Sequence, residues 1–154
     1  MTIHRWLAAL GFLVLVSALG ADAPKPEFTE ETLTGQVVPL TAALAERGIR
    51  ADPESIEKQV VLRTADGTLI PLIRDEASRA LFMDPQLQSK DAELHLRRFA
   101  GVPLAQVTTF KIAVEGTFRT PEYYCEVCTI SVRYPQDCPC CQRPMEFRFR
   151  PDDR

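Results

Sequence analysis

The chain has 154 residues, a formal net charge of −3 and a charged fraction of 25%. That length suits one domain with a small appendage. A nucleic-acid partner requires a basic surface that neutralises phosphates, so the negative net charge argues against nucleic-acid binding. Twelve prolines and an apolar fraction of 45% are typical of a soluble protein built from short strands and turns.

The first twenty residues have the layout of a secretory signal peptide. Arg5 supplies a positive charge, residues 6–19 are almost wholly apolar, and small residues follow. We predict cleavage after Gly20, which makes the protein periplasmic or secreted. The alternative is an uncleaved segment that anchors the chain to a membrane, but the apolar run is shorter than the roughly 20 residues that a spanning helix needs. After the signal peptide, residues 21–32 contain two prolines and predict a linker.

A succession of strand patterns follows the linker. Runs rich in β-branched and apolar residues, or alternating between apolar and polar residues, predict five strands. They lie at residues 33–40, 59–65, 68–74, 91–96 and 106–114. Gly35 marks a bend or bulge in the first strand. Asp66-Gly67 joins the second strand to the third and indicates a type I′ hairpin turn.

Helical patterns separate some of these strands. Helix formers predict helical structure within residues 41–58, where Gly48 interrupts it and Asp52 begins a second turn of helix. Residues 75–83 predict another helix before Asp84-Pro85. In the last strand the pattern predicts one common face for four residues, namely Thr108, Phe110, Ile112 and Val114.

Five strands with a helix between the third and the fourth are the order of an OB-fold, a small Greek-key barrel. In this spacing, residues 33–118 resemble the small OB-like domains of exported bacterial proteins. The resemblance implies a five-stranded barrel with a binding face. Since the chain is acidic and predicted to be exported, a protein or a saccharide is the expected ligand. An open antiparallel α+β sheet made of the same elements is the alternative.

All five cysteines lie after residue 120, and four of them form two Cys-x-x-Cys pairs separated by nine residues. One such turn can direct both of its sulfur atoms at one point, and two turns complete a tetrahedral site. The alternating patterns at residues 129–134 and 146–150 predict the two strands of a hairpin. We therefore predict a zinc site, with iron as the alternative metal, on Cys125, Cys128, Cys138 and Cys141.

The segments Cys125-Glu-Val-Cys128 and Cys138-Pro-Cys-Cys141 resemble the metal-binding turns, or knuckles, of the zinc-ribbon and rubredoxin-like families. Gln142 stands where those families have a glycine. The resemblance implies that residues 119–154 form a zinc-ribbon-like β-hairpin with a structural site of four cysteine ligands. A fainter resemblance links Tyr123, Tyr124 and Met145 to the heavy-metal-binding segments of copper-export proteins, although no histidine follows the first pair.

The cysteines also allow other interpretations. In an oxidising compartment they can form disulfides between the two pairs. A redox dithiol is a third interpretation, but neither pair begins a predicted helix, where a thiolate would be stabilised. Cys140 is left over: it either packs locally with its side chain away from the metal, or acts as an exchange ligand or an oxidation-sensitive thiol.

The sequence as a whole predicts an exported, non-enzymatic binding or assembly module with a structural metal site. One alternative is a metal-handling or electron-transfer protein with copper or iron on the four thiolates. A further alternative is a thiol-disulfide oxidoreductase. The chain has no serine elbow, phosphate loop or His-Glu-x-x-His motif, and we assign no catalytic residue. His95 lies on the polar side of a predicted strand and is expected at the surface.

Overall fold

The computed structural model describes residues 26–151, and the predicted signal peptide lies outside them. The described chain is mainly β and forms two antiparallel sheets, neither of which is closed by a continuous ladder. Its helices are short, and within residues 26–151 none has the length and apolar character that crossing a membrane requires.

The larger sheet consists of β1 (Phe28–Pro39), β2 (Val60–Thr64), β3 (Leu69–Pro71), β4 (Asp91–Phe99), β5 (Ala105–Val114) and β6 (Thr117–Arg119). Its strand order is β3-β2-β1-β4-β5-β6. The smaller sheet consists of β7 (Pro121–Cys125), β8 (Ile130–Val132) and β9 (Glu146–Phe149). Its order is β8-β7-β9. The helical elements are α1 (Leu40–Ala45), α2 (Pro53–Ile56), α3 (Arg79–Met83) and a 3₁₀ turn at Pro85–Leu87.

The first strand starts inside the predicted linker. β1 begins at Phe28, and its first residues pair with the end of β4, Phe28 opposite Phe99. The two phenylalanine rings meet edge to face with their centroids 5.9 Å apart, and Arg97 donates to Glu30 at 3.0 Å. The linker assignment is therefore wrong from Phe28 onward, because cross-strand contacts with β4 make this segment a strand.

Gly35 lies where β1 changes partners. It is paired with Thr64 of β2 on one side and with Ala92 of β4 on the other. A Cβ atom at this position would overlap the backbone carbonyl oxygen of Arg63, so only glycine fits without a backbone shift. The predicted irregularity is thus a close approach of two strands.

The two ends of the larger sheet come near each other at one point. Leu72, just after β3, forms a parallel bridge with Ala105, the first residue of β5. Next to it the backbone N–H of Ile73 donates to the Ala105 carbonyl oxygen at 2.8 Å. The opposite end of β5 pairs with β6. The strands therefore curve around a common core, although a single bridge joins β3 to β5.

The turn between β2 and β3 differs from the prediction. A type I′ turn needs positive φ at both central residues. Here Gly67 has a φ of 83°, whereas Ala65 and Asp66 do not have positive values. The backbone N–H of Thr64 donates to the carbonyl oxygen of Thr68 at 3.0 Å, which closes a loop of three residues. Asp66 contributes its carboxylate, which accepts from the Thr68 N–H at 3.1 Å.

A bulge in β5 overturns part of the predicted face. The pairing with β4 shifts between His95 and Leu96, which lie opposite Thr109 and Val107, so Thr108 is extra. Phe110 and Ile112 are buried as predicted, but the inward residue before them is Val107. Thr108 instead donates its hydroxyl to the His95 carbonyl oxygen at 3.1 Å.

The helical predictions are confirmed with shorter bounds. α1 and α2 lie within the predicted helical region apart from Leu40, and Gly48 between them has a φ of 69°. Asp52 accepts from the Glu54 N–H at 3.1 Å and so caps α2. The third helix begins only at Arg79, because a turn held by Asp75 precedes it.

Both sheets contribute to one hydrophobic core. Its fully buried members from the larger sheet and α3 include Leu62, Leu81, Leu94, Leu96, Val107 and Ile112. Tyr123 of the smaller sheet belongs to the same cluster. Partly buried side chains from the smaller sheet and its loops pack against it, namely Val132, Tyr134, Met145, Phe147 and Phe149. The predicted division into residues 33–118 and 119–154 therefore separates two sheets but not two cores.

The C-terminal unit is a three-stranded sheet. The predicted strands β8 and β9 are present, but they do not pair with each other as a hairpin. Each pairs with β7, which the sequence reasoning missed. The central position of β7 explains why its residues Pro121, Glu122, Tyr123 and Cys125 are all buried.

Candidate metal centre

The four predicted ligands lie at the same end of the smaller sheet. Cys125 is the last residue of β7, and Cys128 follows in the turn that leads to β8. Cys138 and Cys141 lie in the loop before β9. Two backbone hydrogen bonds shape that loop: Cys138 N–H donates to the Arg143 carbonyl at 2.8 Å, and Gln142 N–H donates to the Cys138 carbonyl at 2.9 Å.

The sulfur atoms of these cysteines converge. All four Sγ atoms lie within 4.8 Å of one another, and those of Cys125 and Cys141 are 3.6 Å apart. A tetrahedron with Zn–S bonds of about 2.3 Å has S–S edges of roughly 3.8 Å. A disulfide requires about 2.05 Å, and all five cysteines are free thiols. The spacing of the thiols therefore fits a four-coordinate ion.

Backbone N–H groups support the first sulfur of each pair in the same way. The sulfur of Cys125 accepts from the N–H groups of Cys128 and Val127. The sulfur of Cys138 likewise accepts from the N–H groups of Cys141 and Cys140. Hydrogen bonds to a thiolate favour its charged form. The two turns thus share the same pattern of backbone hydrogen bonds to the first sulfur.

The pKa values of the two supported thiols nevertheless differ. The hydrogen bond from the Cys128 N–H lowers the pKa of Cys125, but burial and the neighbouring thiols of Cys138 and Cys141 outweigh it, and that pKa is raised. The hydrogen bond from the Cys141 N–H outweighs burial and, with help from the Cys140 N–H, lowers the pKa of Cys138 to about 7. The neighbouring thiols of Cys140 and Cys141 instead raise the pKa of Cys128. Four thiols this close together cannot all ionise without a cation, because the thiolate charges repel one another. A bound metal ion supplies that cation.

The residue after each pair has left-handed backbone geometry. Thr129 follows Cys128 with a φ of 54°, and Gln142 follows Cys141 with a φ of 58°. Glycine is the residue that takes this conformation without steric cost. Gln142, which stands where the sequence pattern has a glycine, and Thr129 after the first pair thus each carry a side chain in the left-handed conformation.

We expect Gln142→Gly to stabilise the metal-loaded protein by about 0.5–1 kcal/mol, because it relieves the Cβ clash of a left-handed residue. Thr129→Gly should act in the same direction but less, since it removes the 2.7 Å hydrogen bond from Thr129 Oγ1 to the Cys128 carbonyl, whereas Gln142→Gly removes a longer one of 3.4 Å to the Pro139 carbonyl. Urea unfolding measures both changes. Gln136→Gly, at a position without positive φ, is the matched control and should destabilise. Destabilisation by all three variants would contradict the strain.

Burial divides the five cysteines into three classes. Cys125 and Cys138 are buried, with exposed fractions of 4% and 0%. Cys128 and Cys141 are half-buried, and Cys140 is exposed. As predicted, Cys140 lies outside the set of four converging sulfurs. Its thiol is nevertheless one of the groups that raise the pKa of Cys128.

Two side chains of β7 make polar contacts that the sequence patterns do not predict. The Tyr123 hydroxyl donates to the buried carboxylate of Asp84, which joins β7 to the segment after α3. On the preceding residue, the Glu122 carboxylate accepts from Ser131 and from two arginines of the β9 region. In the sequence, the alternating arginines of residues 146–150 indicate a strand with a basic face, which can pair with an acidic residue such as Glu122.

Other residues that the sequence singled out have structural positions. His95 is exposed, as predicted, and its Nδ1 lies 2.9 Å from the Thr32 hydroxyl. Asp75 accepts from the Ser78 N–H at 3.1 Å and holds the turn before α3. Met145 packs against the core.

No protein-family description matches the chain, and neither the curated proteins nor the solved structures contain a significant match. What is known of the site therefore comes from the arrangement of its own residues.

Proposed function

We propose that this protein is an exported, non-enzymatic binding or assembly module in which four thiolates hold one structural zinc ion. The ligands are Cys125, Cys128, Cys138 and Cys141. The observation that carries the proposal is the convergence of their sulfur atoms within 4.8 Å of one another. The matching N–H···S hydrogen bonds in both turns add to it, because such bonds stabilise the thiolate form that a metal ligand takes.

A structural role is favoured by the number and burial of the ligands. Four protein ligands complete a tetrahedral zinc shell, whereas a catalytic zinc keeps one position for water or substrate. Two of the four sulfurs belong to buried residues. The smaller sheet needs such support, since β8 is paired with β7 at three positions and β9 at four. A metal ion would fasten both loops of the sheet at one point.

The alternative functions of the cysteines have less support. Thiol-disulfide oxidoreductases activate a Cys-x-x-Cys pair at the start of a helix. Here Cys125 ends a strand, and residues 126–129 form turns. Metal handling or electron transfer would place copper or iron on the same thiolates. Metal analysis separates these cases from zinc.

For the larger sheet we propose an OB-like barrel with a protein or saccharide ligand. The order of its first five strands in space, the helix between β3 and β4, and the parallel bridge from Leu72 to Ala105 support this assignment. The net charge of −3 favours a ligand other than nucleic acid.

Elemental analysis of the protein purified under reducing conditions is expected to find about one zinc per chain. Cys138→Ser, which removes a fully buried ligand, should lose the metal. Cys140→Ser is the matched control and should keep it, because Cys140 lies outside the four converging sulfurs. Replacement of zinc by Co²⁺ should give the visible bands of a tetrahedral thiolate complex. A metal-free protein, or bound iron or copper instead of zinc, would contradict the proposal.

A further inference from the structure

An open cavity, here called the junction cavity, lies where the smaller sheet meets the segment after α3. Its volume is about 650 Å³, within the roughly 300–1,000 Å³ of typical ligand sites. Three parts of the chain form its walls: the end of α3 with the 3₁₀ turn, strands β7 and β9, and the loop before β9. The residues that matter below are Met83, Asp84, Tyr123, Asp137, Met145 and Phe147. Among the lining residues that the structure describes, Asp84 and Asp137 are acidic and none is basic.

One of these two carboxylates is buried without a cation. Asp84 is 6% exposed, and none of the ion pairs within residues 26–151 includes it. Buried aspartates are as a rule paired with a positive charge. The Asp84 carboxylate accepts from the Gln86 N–H at 2.9 Å and from the Tyr123 hydroxyl. A carboxylate offers about four acceptor positions, so roughly two remain. Because both donor residues line the cavity, the carboxylate lies at its wall.

We propose that the junction cavity binds the cationic side chain of a protein partner, a lysine or an arginine, with Asp84 as its counter-ion. The inference rests on the proposed function in that it takes the protein to be a binding module, and it names the partner's chemistry. The binding site then lies at the junction of the two sheets, and none of the four metal ligands lines it.

The other walls of the cavity suit the rest of such a side chain. Met83, which is 42% exposed, and Met145 offer apolar surface to an alkyl stem. The rings of Tyr123 and Phe147 meet edge to face with their centroids 5.6 Å apart, and aromatic rings attract cations. A neutral saccharide would leave the buried charge of Asp84 without a counter-ion. The cavity therefore favours a protein over a saccharide as the partner.

The second carboxylate has a different role. Asp137 is exposed, and its backbone forms a bridge with Pro144 on the other side of the loop. Charges at the rim of a binding site steer the approach of a partner and contribute little affinity, because water screens them. Asp84 should therefore determine the affinity for a cationic side chain, and Asp137 the rate of association.

The test titrates the purified protein with Nα-acetyl-lysine methylamide and follows the methionine methyl groups by NMR. Of the three methionines, Met1 belongs to the predicted signal peptide, so Met83 and Met145 are the reporters. We expect both signals to shift together and to saturate, and Nα-acetyl-arginine methylamide should act in the same way. Nα-acetyl-norleucine methylamide has an alkyl stem without a charge and should bind at least about tenfold more weakly.

Three variants locate the interaction. Asp84→Asn removes the charge but keeps a side chain that can cap the 3₁₀ turn, and it should bind the lysine probe at least about tenfold more weakly. Asp137→Asn should weaken binding by less than about fivefold. Glu146→Gln is the matched control, because Glu146 is exposed in β9 and does not line the cavity, and it should keep the wild-type affinity.

A norleucine probe that binds as tightly as the lysine probe would overturn the inference, as would wild-type affinity in Asp84→Asn. If Asp84→Asn does not fold, the comparison of probes on the wild type decides. Metal analysis of the same sample separates this result from the metal site. Zinc-loaded protein that does not bind the lysine probe refutes the cavity alone, and zinc-free protein that binds it refutes the metal alone.

Discussion

Removal of the zinc ion that we propose is expected to destabilise both sheets, and not the smaller one alone. The free energy of unfolding should fall by at least about 4 kcal/mol, since the binding energy of a structural zinc is largely folding energy. The loops held by the cysteines carry Met145 and lead into Phe147 and Phe149, which pack against the shared core. When those loops are released, these side chains no longer pack against the core. We therefore expect one cooperative transition at lower urea concentration.

Urea unfolding followed by circular dichroism, with and without a zinc chelator, measures this loss. Hydrogen exchange adds its location: protection should fall in β7 and β9 and also in β5 and β6. Cys138→Ser should reproduce the effect of the chelator, and Cys140→Ser should not. A chelated protein that unfolds at the same urea concentration would refute a structural metal. Loss of protection confined to β7–β9 would show that the shared core does not transmit the destabilisation to the larger sheet.

The sequence was sufficient to predict that four cysteines come together, because the geometry of each pair is local. A Cys-x-x-Cys turn fixes the relation of its two sulfurs within four residues, and the structure brings the two predicted pairs together. The Asp52 cap and the break at Gly48 are equally local and are confirmed. Interactions between neighbours along the chain can be read from the sequence without knowing the fold.

Features that depend on distant partners could not be predicted. The strand from Phe28 begins with exposed and mostly polar residues, which form no strand pattern of their own. This segment is a strand because it pairs with β4, which is remote in sequence. The bulge at Thr108 shifts the inward face of β5, which no alternation of residues reveals in advance. β7 was missed because its residues are buried on both faces, so the alternating pattern of a half-buried strand is absent.

The charge cluster around Glu122 is another feature that only the fold assembles. Glu122 is 4% exposed, and its carboxylate accepts from Arg148 Nε at 2.8 Å, Arg150 Nε at 3.1 Å and the Ser131 hydroxyl at 2.6 Å. Arg148 also lies over the ring of Tyr124, with its guanidinium carbon 3.3 Å from the ring centre. These contacts tie the three strands of the smaller sheet together on the face opposite the shared core.

The pKa of Glu122 follows from this environment. Burial alone would raise it, but the hydrogen bonds from Ser131, Arg148 and Arg150 and the charge of Arg148 outweigh burial and hold the pKa below the ordinary value of 4.5. A carboxyl whose pKa is lower in the folded chain stabilises the fold above its unfolded pKa. That contribution is lost as the pH falls through the lower folded value.

Glu122→Ala is therefore expected to cost about 3 kcal/mol near neutral pH, at the lower end for a broken buried ion pair because both arginines are partly exposed. Glu122→Gln keeps the shape and should cost about 1–2 kcal/mol. The difference between wild type and Glu122→Gln should stay constant from about pH 7 to 5 and shrink below pH 4.5. Urea unfolding at each pH measures this difference in the free energy of unfolding.

Metal loss in acid affects both chains and cancels from the difference. The exposed Glu57→Gln is the control and should show no such pH dependence; a difference that grows as the pH falls would mean that the Glu122 pKa is raised in the folded protein.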